Sequence, residues 1–229
     1  MKPWKKQQWV IAPEHNGEFV ASMEQVLAVY RRPYDALHPL ICMDESPRQL
    51  IRETRVALAA SCRAVERVDY EYERCGVCNV FMAVEPLAGK RVVEITERKA
   101  KTDWALFLQQ ISEHYNQAER ITLVMDNLST HSPGALYETF APTTAKTLRD
   151  RFDFIYTPKH GSWLNMAEIE LNVLIRQCLN RRIGDINEMQ AEVAAWQKNR
   201  NNAQSRIDWQ FTCENAQIKL KRLYPTVAA

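Results

Sequence analysis

The chain has 229 residues, long enough for one large domain with a full hydrophobic core. Its 46% hydrophobic and 25% charged content is ordinary for a soluble globular protein, and a net charge of +2 excludes a polycation. Contacts with nucleic acid must then come from local basic clusters, and the absence of a signal peptide or a membrane-length apolar run sets the expectation of a cytoplasmic protein.

The chain opens on a basic, aromatic stretch, "MKPWKKQQW". Phe19, Val20, Met23, Val26, Leu27 and Tyr30 then recur at three- and four-residue spacing, which predicts an amphipathic helix. "RRPYDALHP" breaks it and reads as a linker. Residues 1–37 are therefore expected to form an N-terminal segment, and 38–229 the main domain. "LICMDES" predicts a short buried strand ending in an acid. "VCNVFMAVEPLAGKRVVEIT" predicts a hairpin around a Pro and Gly turn. Cys75 and Cys78 form a lone C-x-x-C beside it. With no second pair at matching spacing, they read as strand residues and not as a zinc or redox site. The six scattered cysteines fit reduced thiols.

"DWALFLQQISEHY" predicts an amphipathic helix, and "ITLVMDN" a fully apolar strand that again ends in an acid. A helical "TTAKTLRDRF" precedes the short strand "FIYTP" and a helix starting near Asn165. Later helices are expected at roughly 186–200 and 213–223, forming a helical C-terminal extension from about 186. A hairpin followed by alternating helices and strands predicts an α/β fold with a mixed sheet flanked by helices.

The helix in "YTPKHGSWLNMAEIELNVL" raises a chemical question. At about 100° per residue, Leu164, Leu171, Ile175, Cys178 and Leu179 fall on one stripe with Glu168 at its centre. Glu170 points the other way, towards Gln177 and Arg181, and is expected to be solvated or paired with a neighbouring base. A buried carboxylate needs a partner. One answer is a capping box, with Asn165 as N-cap, Glu168 at the third position, and Leu164 and Ile169 as hydrophobic staple. The other answer is a metal. Asp44 and Asp126 each end a buried strand, where ligands of open α/β sheets gather. Either acid alone is commonly a turn residue. Three converging carboxylates with no buried base repel one another unless a cation sits among them. Such hard oxygen donors suit Mg²⁺ or Mn²⁺, and two ions of this kind promote phosphodiester cleavage. Lys159 and His160 just before the helix, and Arg181 and Arg182 after it, are candidates for contact with DNA phosphate; a solvated loop or face is the alternative.

At "CMDES", "VMDNLSTH" and "YTPKHGSWLNMAEIE", and in the tail "DWQFTCENAQIKLKRLYP", the chain resembles the DDE transposases of bacterial insertion sequences related to the mariner group. The likeness runs from about residue 40 to 225. It implies an RNase H-like catalytic domain in which Asp44, Asp126 and Glu168 carry a pair of Mg²⁺ or Mn²⁺ ions. It also implies Asn127, His131, Trp163 and Asn165 as supporting residues. The implied activity is cleavage of DNA at the ends of a mobile element, then strand transfer, by a dimer on paired ends in the bacterial nucleoid. The alternatives are a stand-alone nuclease of the same fold, or an inactive remnant that only binds DNA or a partner. Two departures stand out. The gap from Asp126 to Glu168 is longer than in many relatives, and "APTTAKTLRDRF" accounts for it as an extra helix. Such transposases usually begin with a helix-turn-helix region, for which the stretch before Leu40 has no room. Recognition of the element's ends is therefore expected to come from a separate helix-turn-helix polypeptide.

Overall fold

The computed structural model describes residues 16–225 apart from 56, 57, 66 and 68, so the basic aromatic start lies outside the described residues. Five strands form one mixed sheet in the order β3-β2-β1-β4-β5. Strands β1 (Leu40–Glu53), β2 (Tyr72–Glu85) and β3 (Lys90–Thr96) run as an antiparallel meander. Strands β4 (Ile121–Met125) and β5 (Phe152–Tyr156) join parallel to β1. The strand expected to be short is 14 residues long. It continues past the acid because β2 pairs with it as far as Glu53, so Asp44 lies inside the strand and not at its end. A bulge opposite Leu50 and Ile51 bends the pair; Gly76 there has φ +113°, a conformation that favours glycine.

Alternation of side chains along the strands divides the core. Ile41, Met43, Phe81, Ala83, Leu123 and Met125 face helices α2 (Lys101–His114), α3 (Gly134–Thr139) and α4 (Pro142–Arg151), which cover one side. Helix α4 is the extra helix foreseen in the long gap between Asp126 and Glu168. Cys42, Val84 and Val124 face α1 (Gly17–Tyr30) on the other side, with α5 (Met166–Leu174) and α7 (Cys213–Lys219) beside it. Met23 and Val26 of α1 are fully buried, so this helix belongs to the sheet's own core. Helix α6 (Ile186–Asn202) covers the outer part of β2 and the edge strand β3. Its side chains satisfy that edge, with Asn201 and Gln197 accepting from the backbone N–H groups of Arg91 and Val93. All six cysteines are free; Cys75 and Cys78 are residues of β2. Among the described residues no helix is long and apolar enough to cross a membrane.

Candidate active site

Parallel pairing aligns Cys42 of β1 with Val124 of β4. Two residues further along each strand, this register sets Asp44 alongside Asp126. Asp44 is 9% exposed. Burial first, then the nearby charges of Asp126, Glu45 and Glu168, push its carboxyl up to about 7, although the Glu45 N–H hydrogen bond at 2.8 Å opposes the rise. Glu168 therefore acts electrostatically on the same carboxylate as Asp126.

Asn165 starts α5 as its N-cap, its side-chain oxygen accepting from Ala167 N–H at 3.1 Å. The capping box with Glu168 does not form, because the Asn165 N–H donates to Ser162 O at 2.7 Å. Ile169 is 41% exposed and staples nothing. The Glu168 side chain makes no hydrogen bond or ion pair among the described residues, and is partly exposed.

The buried stripe of α5 is Ala167, Glu170, Leu171 and Leu174, so Glu168 sits at its edge. The expected stripe assumed one continuous α-helix over 164–179. Leu164 instead ends a 3-10 turn, and Ile175–Leu179 form a π-helical turn that rotates the later residues relative to the earlier ones. Glu170 consequently faces inward, fully buried, against Arg91 and Arg200. The expectation that it points towards Gln177 and Arg181 is corrected, although it is paired with bases as foreseen. Arg91 is itself fully buried, its Nε donating to Glu170 at 2.8 Å and its Nη1 to Gly89 O at 2.5 Å. Nothing in the strand-like run "GKRVVEIT" marked that arginine as internal.

A second network holds Asp126. His131 lies between two carboxylates, Nδ1 at 2.6 Å from Asp126 Oδ1 and Nε2 at 3.1 Å from Glu45 Oε2. Burial alone would lower the imidazole pKa, but hydrogen bonds to Asp126 and Glu45 outweigh it and raise it to about 9. Trp104 stacks on the ring at 5.9 Å, and Lys99 holds the other Glu45 oxygen at 3.0 Å. Ligand atoms of Glu45, Asp126 and His131 all lie within 4.8 Å of one another, a spacing that could hold a metal. Both ring nitrogens already face carboxylate oxygens, so the cluster reads as an ion-paired clamp on Asp126. Glu45 stood in "CMDES" beside the chosen acid; its contribution depends on the opposite strand face, which periodicity alone does not connect to His131.

The remaining candidates divide. Asn127 is exposed and lines a cavity of about 340 Å³ with Tyr156 and Lys159. Thr157 N–H donates to Met125 O at 2.9 Å, which holds the loop of Lys159 and His160 beside the second acid. His160 has φ +64°, and Gly161 packs so tightly that a Cβ would lie 2.5 Å from Pro158. Trp163 is half-buried, packed edge-on against Phe211 at 5.7 Å. Arg181 and Arg182 are not brought to the acids. Arg181 pairs with Glu192 and Arg182 with Glu53, each at 2.7 Å. Glu53 stands nine residues beyond Asp44 on β1, roughly 30 Å away.

The family described as DDE superfamily endonuclease matches residues 39–190. None of the curated proteins compared with the chain matches it. Among solved structures, the Mos1 transposase paired-end complex with left transposon end is similar at 14% identity and TM-score 0.55, over 85% of this chain and 58% of that one. The Mos1 strand transfer complex is similar at 13% and 0.56, over 88% and 60%. The mariner Mos1 paired-end complex with Mg is similar at 16% and 0.52, over 97% and 67%. This chain thus spans about three fifths of the length of the first of these, and the likeness identifies an RNase H-like fold. The span of the family match, which contains Asp44, Asp126 and Glu168 in that fold, places the chain in the DDE superfamily endonuclease family.

Proposed function

We propose that the chain is the catalytic domain of a DDE transposase, cleaving DNA at the ends of a mobile element and joining the freed ends to target DNA. The observation that carries this reading is the electrostatic meeting of Asp44 with Asp126 and Glu168, drawn from two neighbouring strands and one helix.

The donor set fits hard divalent cations. Asp44 is crowded by like charge, and Glu168 has no cationic partner among the described residues. Asp44, Asp126 and Glu168 would hold two Mg²⁺ or Mn²⁺ ions. Such ions, when bound, polarise water and screen charge on a phosphodiester. The chain's own residues prepare the acids for this. Asp44 must give up a proton held to about pH 7, while His131, held in turn by Glu45, engages one oxygen of Asp126. The reaction class is hydrolysis followed by transesterification. Water attacks phosphorus and the P–O3′ bond breaks, leaving a 3′-hydroxyl; that hydroxyl then attacks a target phosphodiester, forming a new P–O bond while the target's own P–O3′ bond breaks and its 3′-oxygen leaves as a hydroxyl. Lys159 and His160, exposed in the loop beside Asn127, would meet a phosphate of the bound strand.

The Mos1 structures similar to this chain are paired-end and strand-transfer complexes. By analogy, two copies would act on paired ends in the nucleoid, with end recognition by a helix-turn-helix polypeptide distinct from the described residues. The test is incubation with DNA carrying element ends and a target plasmid, with Mg²⁺ or Mn²⁺. We expect cleavage and joined product, both lost in Asp44→Asn, Asp126→Asn and Glu168→Gln. Normal cleavage by these variants would falsify the site. Cleavage without joining would mark a nuclease instead, and an inert wild type a remnant.

A further inference from the structure

We infer that Asn165 is a positioning residue that ties the strand of Asp44 to the helix of Glu168, so that one side chain sets how the two acids face each other. The inference rests on the metal-dependent reading proposed above.

Asn165 is fully buried, and each polar atom of its side chain is used. Oδ1 caps α5 by accepting from Ala167 N–H. Nδ2 donates across to β1, to Met43 O at 2.7 Å and towards Asp44 Oδ2 at 3.4 Å. The pairing of β1 with β4 runs from Leu40 to Cys42, and the next carbonyl, that of Met43, accepts from Asn165. An N-cap needs only an acceptor, which serine, threonine or aspartate supplies as well. The donor half of the amide serves no capping purpose; it reaches the residue that carries the first acid. Glu168 stands three residues along the helix begun by this cap, so helix and strand cannot shift relative to each other without breaking the 2.7 Å bond.

The anchor is itself held from behind. The Asn165 N–H donates to Ser162 O, closing the 3-10 turn of Ser162–Leu164. Tyr30 of α1 donates its hydroxyl to Leu164 O at 2.7 Å, in a buried bond 134 residues apart in sequence. Trp209 packs edge-on against Tyr30 at 5.3 Å. The backbone of Asn165 therefore has little freedom, and the amide plane is directed by the fold. Residues that orient metal-binding side chains in this way typically change metal affinity or activity 10–100-fold when replaced.

Substitution can separate cap from latch. Asn165→Ser keeps an acceptor for the helix and loses the donor to β1; Asn165→Ala loses both. Mn²⁺ binding followed by electron paramagnetic resonance, thermal melting, and kcat and KM on DNA are measured for each. Both variants are expected to bind Mn²⁺ at least about tenfold more weakly and to lose kcat about as much, with KM for DNA within about twofold. Asn165→Ser should melt above Asn165→Ala. A serine variant that binds Mn²⁺ and turns over like the wild type, with only Asn165→Ala impaired, would reduce Asn165 to a cap and overturn the inference. Asn165→Thr makes the same separation if the serine variant does not fold. Asp44→Asn is the control: if it binds Mn²⁺ as the wild type does, the metal-site reading fails and the latch falls with it.

Discussion

Two acids two residues apart on α5 are expected to respond in opposite ways to the same substitution. Glu170→Gln removes the carboxylate that pairs, among the described residues, with Arg91, which is fully buried, and with Arg200, whose side chain is 20% exposed. The arginine nitrogens make three charge-assisted hydrogen bonds to this carboxylate: Arg91 Nε, Arg200 Nε and Arg200 Nη2. At about 1.5–3 kcal/mol each they would sum to more than a single site delivers, because they share one acceptor group. The better guide is the cost of breaking a buried ion pair from one side, about 3–5 kcal/mol, since the Arg91 guanidinium stays fully buried without a counter-charge and that of Arg200 largely so. At roughly 2–4 °C per kcal/mol for a chain of this size, Glu170→Gln should melt about 6–20 °C below the wild type. Glu168→Gln breaks no bond and relieves repulsion on Asp44, so its metal-free melting temperature should hold or rise. Below its melting temperature Glu170→Gln should cleave DNA within a few fold of the wild type, while Glu168→Gln should not cleave. Scanning calorimetry and a Mn²⁺-dependent cleavage assay on both proteins decide the matter. A Glu170→Gln variant of unchanged stability and no activity would refute the division of roles.

Three further outcomes are expected. Asp44 has a folded pKa raised to about 7, so its contribution to stability is complete below the unfolded value near 4 and is lost as pH rises through 7. Metal-free Asp44→Asn should therefore gain melting temperature over the wild type between pH 5 and pH 8, by an amount worth up to about 3 kcal/mol; a constant difference would show that Asp44 does not carry the strain. His131, raised to about 9, stabilises most below about pH 6.5 and loses that contribution as pH rises through 9, so the melting deficit of His131→Phe should shrink between pH 6 and pH 10. In DNA binding followed by fluorescence anisotropy, Lys159→Ala should lower the salt slope by about one. Arg182→Ala, whose charge is already engaged by Glu53, should change affinity less than about twofold, and the reverse pattern would move the DNA track to the far end of β1.

What could be read in advance, and what could not, follows from the range of the interactions. Strand β4 and the acid after it were legible because a fully buried parallel strand needs an unbroken apolar run, and "ITLVM" supplies one next to Asp126. The hairpin β2–β3 was legible from its turn, where Gly89 has φ +67° and a Cβ would lie 2.5 Å from the Gln204 backbone. The length of β1 was not, because its outer half, "ESPRQLIRE", is mostly polar, carries a proline and owes its extension to pairing with β2. The facing of α5 failed for a related reason. Its periodicity was averaged over a 3-10 turn, an α-helix and a π-helical turn, and a residue's side is set by local winding that composition does not encode. Glu168 bears on the Asp44 carboxylate from the edge of the buried stripe of α5 and not from its centre, so the family's pattern points to it where helical periodicity does not. Glu170, with the stronger claim to the buried face, is spent on two arginines from β3 and α6, each far away in sequence. Of the two acids, the structural one is the one whose charge is neutralised inside the protein. The candidate for chemistry is the one left without a partner, and that distinction requires knowing where Arg91 and Arg200 fold.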